Sequence, residues 1–420
     1  MLRSCVPAII AGAVLLAGSA IARDLTLSEA ESLLVRNNRE LAAARRAVES
    51  ADAQIVIAGA RPNATLSMNT AAISREPGIG SGSLGQKRMD TVFRIDQPFE
   101  RGDKRALRID AASGLQRAAQ NDSLDVLRQQ LVLLRGAYYD LKQAQEKAEV
   151  LAGTADLFAG TLAAAQRRLK AGDLAAAEVA KVQVDYERAQ NDARAARAEY
   201  ARAQITLAYL TGLEGEAPEL RPVDAWPVPE RAYPDVVEQA IEARPDVLAA
   251  RSRVEAAAKL RDLAKAQRTR DVTLGAQYER YPGSIPENSV GFGIAIPLFT
   301  GYDFSGDIQK AEVDRYAALD ALSRARALAG NELRRAAGDL NAAADRLERF
   351  DGSLLAAAGR SAQAAEFAFQ RSAISVLEVL DARRTHRAVQ LEALAARTDY
   401  AKALAAWRAS QASADSLRGR

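Results

Sequence analysis

Two carboxylates, Glu378 and Asp381, stand just past a break in a long helical pattern, in the stretch Phe369 to Thr385. Their i, i+3 spacing projects both from one helical face. Ser372, Ser375 and the β-branched Ile374 and Val376 weaken the helix at the break, which predicts a tight turn and resumption at Leu377. The same kind of turn occurs at Leu169-Lys170-Ala171-Gly172-Asp173-Leu174, and a carboxylate, Glu178, again follows it. Paired acids at a hairpin tip can attract cations; acid–base catalysis would need partners that are missing here. His386 is the one histidine and is flanked by Arg384 and Arg387, with no thiol to join it. The soft metal ligands outside the first 22 residues are Met68 and Met89, so no Cys/His cluster for a metal and no cofactor motif is expected. An enzyme has no residues to support it.

The elements that carry these tips are long. The chain of 420 residues is rich in Ala, Leu, Arg and Glu and has 13 prolines, which favours long helices or coiled coils. Its formal net charge is +3, with both signs interspersed, which speaks against a nucleic-acid stripe. After Pro98 the next proline is Pro218. The stretch before the Gly172 turn is on the order of 100 Å of helix, and the stretch after it leads part of the way back. Leu124, Leu127, Leu131, Leu134, Tyr138 and Leu141 step as a coiled-coil seam. A soluble helical bundle uses such seams too, with far shorter helices.

The first residues read as an address. A short basic start, an apolar core at Val6–Leu16 and Ala20-Ile21-Ala22 predict a signal peptide over 1–22, the alternative being an uncleaved anchor. The single cysteine, Cys5, lies within it. No later run reaches the roughly 18 consecutive apolar residues of a membrane helix, so entry into a bilayer would have to use β-strands.

A helix over Leu25–Ala60, starting at Thr26 or Ser28, gives way at Pro62 to alternating runs. Leu66 and Met68, then Phe93 and Ile95, form the apolar side of a hairpin whose loop is Ser74–Gly85. A connector rich in proline, 214–234, divides a first repeat, 23–213, from a second, 235–420. In the second, Arg251, Val254 and Glu255 echo Arg45, Val48 and Glu49. Leu274 and Tyr278, then Phe292 and Ile294, are the apolar sides of two further strands, and Ile296-Pro297-Leu298-Phe299 echoes Gln97-Pro98-Phe99. Strands of about ten residues, apolar on one side and polar or tiny on the other, fit a tilted membrane strand. Four cannot close a barrel, and open edges in lipid are prohibitive. Several protomers must pool their strands, unless the sheet is a small soluble subdomain.

These motifs together resemble the TolC-type outer-membrane efflux proteins from about Leu25 to Leu417. The resemblance rests on Ser28-Glu29-Ala30, Asn37-Asn38-Arg39-Glu40-Leu41, Gln97-Pro98-Phe99, Ala137-Tyr138-Tyr139-Asp140-Leu141, Arg244-Pro245-Asp246, Ile296-Pro297-Leu298-Phe299 and Leu377-Glu378-Val379-Leu380-Asp381-Ala382-Arg383-Arg384-Thr385. It implies a mainly α protomer with a membrane β-barrel: four strands plus long coiled-coil helices, assembled as a homotrimer with one shared twelve-stranded barrel and a long α-barrel. It also implies a place in the outer membrane with a large periplasmic portion, a periplasmic adaptor and an inner-membrane RND-type pump. Gln97-Pro98-Phe99-Glu100-Arg101-Gly102-Asp103-Lys104-Arg105 further resembles the CzcC-like heavy-metal branch, from which the chain departs at Thr300–Ser305. Metal cations are then the expected cargo; ducts for drugs or a secreted polypeptide, or a periplasmic coiled-coil adaptor, are the alternatives. Acidic positions matching Glu378, Asp381 and Glu178 line the family's periplasmic constriction, where rings of carboxylates favour cations and repel one another. The gate's tyrosine and arginine match Phe369 and Ile374 here, a thinner polar latch. Gly172, Asp173, Leu174, Ser372, Ala373, Ile374 and Ser375 form the expected adaptor-contact tips.

Overall fold

In the computed structural model, residues 23–71, 89–233, 237–281, 287–371 and 373–419 are described. The signal peptide expected over 1–22, the loop Ser74–Gly85 and Ser372 thus lie outside the described residues. The order is β1 (Arg23–Leu25), α1 (Leu27–Asn37), α2 (Arg39–Gly59), β2 (Thr65–Ala71), β3 (Asp90–Phe99), α3 (Lys104–Lys170) and α4 (Ala176–Thr211). A 3-10 turn and β4 (Leu220–Pro222) lead to α5 (Val237–Glu242), α6 (Pro245–Ala266), β5 (Val272–Tyr281), β6 (Glu287–Ala295) and α7 (Ser305–Arg349). A π turn, Phe350–Leu354, separates α7 from α8 (Leu355–Gln370), followed by α9 (Val376–Ser410) and α10 (Ala414–Arg418).

The chain divides into two compact units, one of 1–37, 133–229 and 346–402, the other of 38–132, 230–345 and 403–420. Each draws segments from both sequence repeats.

In the first unit α3 and α4 turn back at Gly172, whose φ is +82°. Asp173 N–H donates to Arg168 O (2.9 Å) and Gly172 N–H to Leu169 O (3.0 Å), a Schellman ending that satisfies the last carbonyls of α3. At the second tip Ala373 N–H donates to Ala368 O at 2.9 Å, the same six-residue closure. Beneath them Phe158, Val179, Val182, Val376 and Leu380 form a buried core. Farther along α3, the seam residues Leu127, Leu131, Leu134, Tyr138 and Leu141 are buried, while Leu124 is half-buried. Tyr138 explains part of its motif: its hydroxyl lies 3.0 Å from Leu25 O and 2.9 Å from the Asp224 carboxylate. It thereby pins β1, which pairs in parallel with β4, and the connector to α3. Burial pushes that hydroxyl's pKa up. Tyr139 stacks on Trp226 at 5.8 Å.

The helix starts and lengths refine the expectations, and of the two caps expected for the first helix Thr26 is the one used. The helix foreseen over Leu25–Ala60 is two, because Asn38 leaves the helix (ψ 129°) and its side chain accepts from Leu41 N–H at 3.1 Å, capping α2. Thr26 is the start of α1, accepting from Glu29 N–H at 3.2 Å. And α3 holds an 18-residue window of mean hydropathy 1.2, apolar enough by composition to cross a membrane. Its apolar stripe is the coiled-coil seam, and at 67 residues it far exceeds the ~20 a span requires.

In the second unit the strands form one antiparallel sheet, ordered β2-β3-β5-β6. The register aligns Met68, Phe93, Tyr278 and Val290 in one row and Leu66, Ile95, Ala276 and Phe292 in the next. β6 ends at Ala295, so Ile296 falls outside the fourth strand. Elsewhere in this unit, Val247, Ala250, Leu322 and Ala329 pack as a core. Arg244 of the Arg-Pro-Asp motif is fully buried and donates to Asp246 (2.8 Å) and Glu332 (2.8 Å).

Candidate functional site: the helical tips and the two-faced sheet

Glu178 and Glu378 occupy equivalent places. Each is the third residue of the helix that leaves a tip, and each turns back toward the start of that helix. Glu178 accepts from Ala175 N–H at 3.3 Å. Glu378 accepts from the Ser375 hydroxyl at 3.3 Å, and its own N–H donates to that hydroxyl at 3.3 Å. This is capping-box chemistry at a positive helix end. Glu378 and Asp381 are exposed and Glu178 is half-buried. Both α9 acids reach solvent, and Glu378 also serves its own helix. Phe369 is placed differently from the acids: it packs half-buried against the tip core, with the Arg168 guanidinium 5.7 Å from its ring centre. Gly172, Asp173, Ala373 and Ser375 are exposed, while Leu174 and Ile374 are half-buried, Leu174 against the core. The exposed apolar groups near the tips are Leu169, Phe367 and Leu377, which the turn pattern did not point to.

Sequence reasoning also missed the polar ties between hairpins. Arg384 of α9 donates to Asp185 of α4 at 2.5 and 2.6 Å, and Asp185 is buried. Arg383 donates to Thr161 (2.6 Å) and Glu366 (2.9 Å), and Arg387 to Asp192 (3.2 Å). The basic end of the Leu-Glu-Val-Leu-Asp-Ala-Arg-Arg-Thr motif therefore knits α9 to α3, α4 and α8. Three arginines within five residues were the available signal. His386 lines a recess of about 380 Å³ with Glu149, Arg383 and Arg387. Among the described residues no group of three or more His, Cys, Asp or Glu side chains could hold a metal ion.

On the sheet, Leu66, Met68, Phe93, Ile95, Leu274, Tyr278, Phe292 and Ile294 are all exposed, Phe292 to 86%. An exposed apolar face of this extent marks a surface that meets lipid or a partner. The opposite face carries Asp90, Arg94, Asp96, Glu279 and Glu287. There Arg94 clasps Asp96 (2.8 and 3.0 Å) and donates to Gln277 (3.2 Å). Gly275 makes room for that pair, since a Cβ would sit 2.5 Å from Asp96 Oδ1 and 2.7 Å from Arg94 Nη2.

The chain belongs to the outer membrane efflux protein family, whose model matches residues 31–213 and 236–411. It is 26% identical over 370 residues to the cobalt-zinc-cadmium resistance protein CzcC of Cupriavidus metallidurans, covering 86% of this chain and 84% of that one. It is 28% identical over 335 residues to Protein CyaE of Bordetella pertussis, covering 76% and 70%. In fold it is similar to the Campylobacter jejuni CmeC outer membrane channel, with a TM-score of 0.78 at 15% identity over 92% of this chain and 85% of that one. The protein is thus an outer-membrane efflux channel with a large periplasmic part, passive rather than catalytic, of a family that forms trimers and works with adaptor and pump.

Proposed function

We propose that three copies close one twelve-stranded barrel by joining β6 of one protomer to β2 of the next, and that the duct conducts heavy-metal cations. The observation that carries this reading is the sheet itself, with an exposed apolar face and unpaired backbone edges at β2 and β6. Such edges are tolerable in lipid only when closed. The polar face would then line the lumen, and its acids outnumber its one arginine. That excess, and the likeness to a cobalt-zinc-cadmium resistance protein, favour cations as cargo. Glu378, Asp381 and Glu178, repeated three times, form the acidic periplasmic gate, with Phe369 holding the α8 side of the tip in place. Gly172, Asp173, Leu174, Ala373, Ile374, Ser375 and Ser372 meet a periplasmic adaptor, which links the duct to an RND-type pump.

Single-channel recording in planar bilayers tests this. The wild type is expected to show a small, cation-selective conductance blocked by divalent cations, and an E378Q/D381N variant to lose both selectivity and block. Equal behaviour of the two would move the gate elsewhere, and failure of the wild type to insert would remove the barrel.

A further inference from the structure

The duplication extends to the junctions between the sheet and its helices. By register, Thr65 faces Asp96, Phe99 faces Val272 and Thr273 faces Ala295, so all four helix connections leave one end of the sheet. At that end Asp103 (φ +56°) and Phe304 (φ +62°) adopt the same left-handed backbone just before α3 and α7. Each accepts the first helical bond, from Leu107 N–H at 2.9 Å and Ile308 N–H at 3.1 Å. Two equivalent stations result, each with an aromatic ring from the Pro-x-Phe or Pro-Phe motif beside exposed arginines.

At the first station, Phe99 is half-exposed at the edge of an open recess of about 730 Å³ that Arg61, Asn63, Gln97 and Arg105 also line. Glu100, at the same recess, is bound by Arg108 at 2.9 Å and does not neutralise the other arginines. At the second, Arg270 lies 5.7 Å from the Phe299 ring, and Phe299 packs on Phe304 at 4.9 Å. Arg268 is engaged by Asp303, donating to its backbone O at 2.9 Å and pairing with its carboxylate at 3.4 Å, which leaves Arg270 as the phosphate donor of this station. Beyond the strand end Leu298 (72% exposed) and Tyr302 are further exposed apolar groups.

We infer that these two stations bind the phosphate headgroups of anionic phospholipids in the periplasmic leaflet, anchoring the sheet at a set depth. The inference rests on the sheet spanning the outer membrane. Its chemistry follows from the juxtaposition. Guanidinium groups bind phosphate oxygens with paired N–H donors. Aromatic and aliphatic groups beside them suit the boundary between headgroups and acyl chains. The helix-bearing end of the sheet faces the periplasm, because the helices form the periplasmic portion. The stretch 300–304, which departs from the CzcC-like branch, supplies Tyr302 and Phe304 to this surface.

The test uses the full-length protein purified from membranes and incubated in detergent micelles holding equal amounts of phosphatidylglycerol and phosphatidylcholine. Retained lipid is counted by native mass spectrometry. Wild type is expected to retain phosphatidylglycerol preferentially, an R61Q/R270Q variant to lose about fivefold of that retention per arginine, and R61K/R270K to keep most of it. Equal retention of both lipids by wild type, or undiminished retention by R61Q/R270Q, overturns the inference. Bilayer conductance separates the two readings. A wild type that conducts without lipid preference refutes only the stations, whereas one that never inserts refutes the membrane sheet on which they stand.

Discussion

Arg384 on α9 and Asp185 on α4 make a two-pronged ion pair, 2.5 and 2.6 Å long, in which the carboxylate is buried and the guanidinium half-exposed. It ties the second hairpin to the first below the tips. Phe369 and Ile374 at the tip carry no polar side-chain group and can make no such bond. Arg384→Gln would strand the buried Asp185 carboxylate and cost on the order of 2–3 kcal/mol. D185N should cost less, and the double variant less than the sum of the two. The expected readouts are earlier thermal unfolding and a raised resting conductance in R384Q. Unchanged conductance would mean that the pair holds the fold without restraining the duct.

The Arg244–Asp246–Glu332 network should make the second unit sensitive to acid. Burial alone would raise the Asp246 carboxyl pKa, but hydrogen bonding and charge from Arg244 outweigh it and hold it below the ordinary 3.8. A lowered folded pKa contributes stability that is present above the unfolded value and is lost as pH falls from 3.8 through the folded value. D246N should therefore be less stable at neutral pH and flatter across that window. Denaturant midpoints at several pH values would check this; parallel curves would contradict it.

Gly212 ends α4 with φ +73°, and a Cβ there would lie 2.6 Å from Asn37 Cβ. Asn37 in turn donates to Thr211 O at 2.9 Å. Gly212→Ala is expected to cost about 1–3 kcal/mol, from backbone strain and the displaced asparagine. Gly136, whose Cβ would meet nothing within 4 Å, is the control: G136A should not destabilise α3. Equal melting temperatures for both variants would refute the close-approach argument.

Phe292 and Glu279 lie on opposite faces of the sheet. Placing a cation at the first, F292R, should cost about 2–4 kcal/mol if that face meets lipid near the midplane. E279Q on the other face should insert normally and change ion preference only. The measurement is the yield of heat-stable trimers in the outer-membrane fraction, and a normal yield for F292R would put that face in water.

Much of the architecture was legible because its signals are local and periodic. Alternation at Leu66–Met68 and Phe292–Ile294 reports which side of a strand is apolar without any knowledge of its neighbours. The 3-4 stepping of Leu127 to Leu141 reports a seam in the same way. The tips were legible for a related reason, since Gly172 and the serines around Ile374 interrupt a helix through backbone preferences that act over a few residues. What folding decided was pairing across distance. Nothing near Arg384 in the chain indicates Asp185, 199 residues away. Asn38 falls inside the helix expected over Leu25–Ala60, yet in the fold its side chain caps α2. The junction stations emerged only when strand register brought Arg61 and Arg270 to one end of the same sheet. Sequence determines which faces are apolar and where helices stop, because those depend on neighbours along the chain. Tertiary structure chooses which charges meet, because that depends on which surfaces the apolar faces bury together.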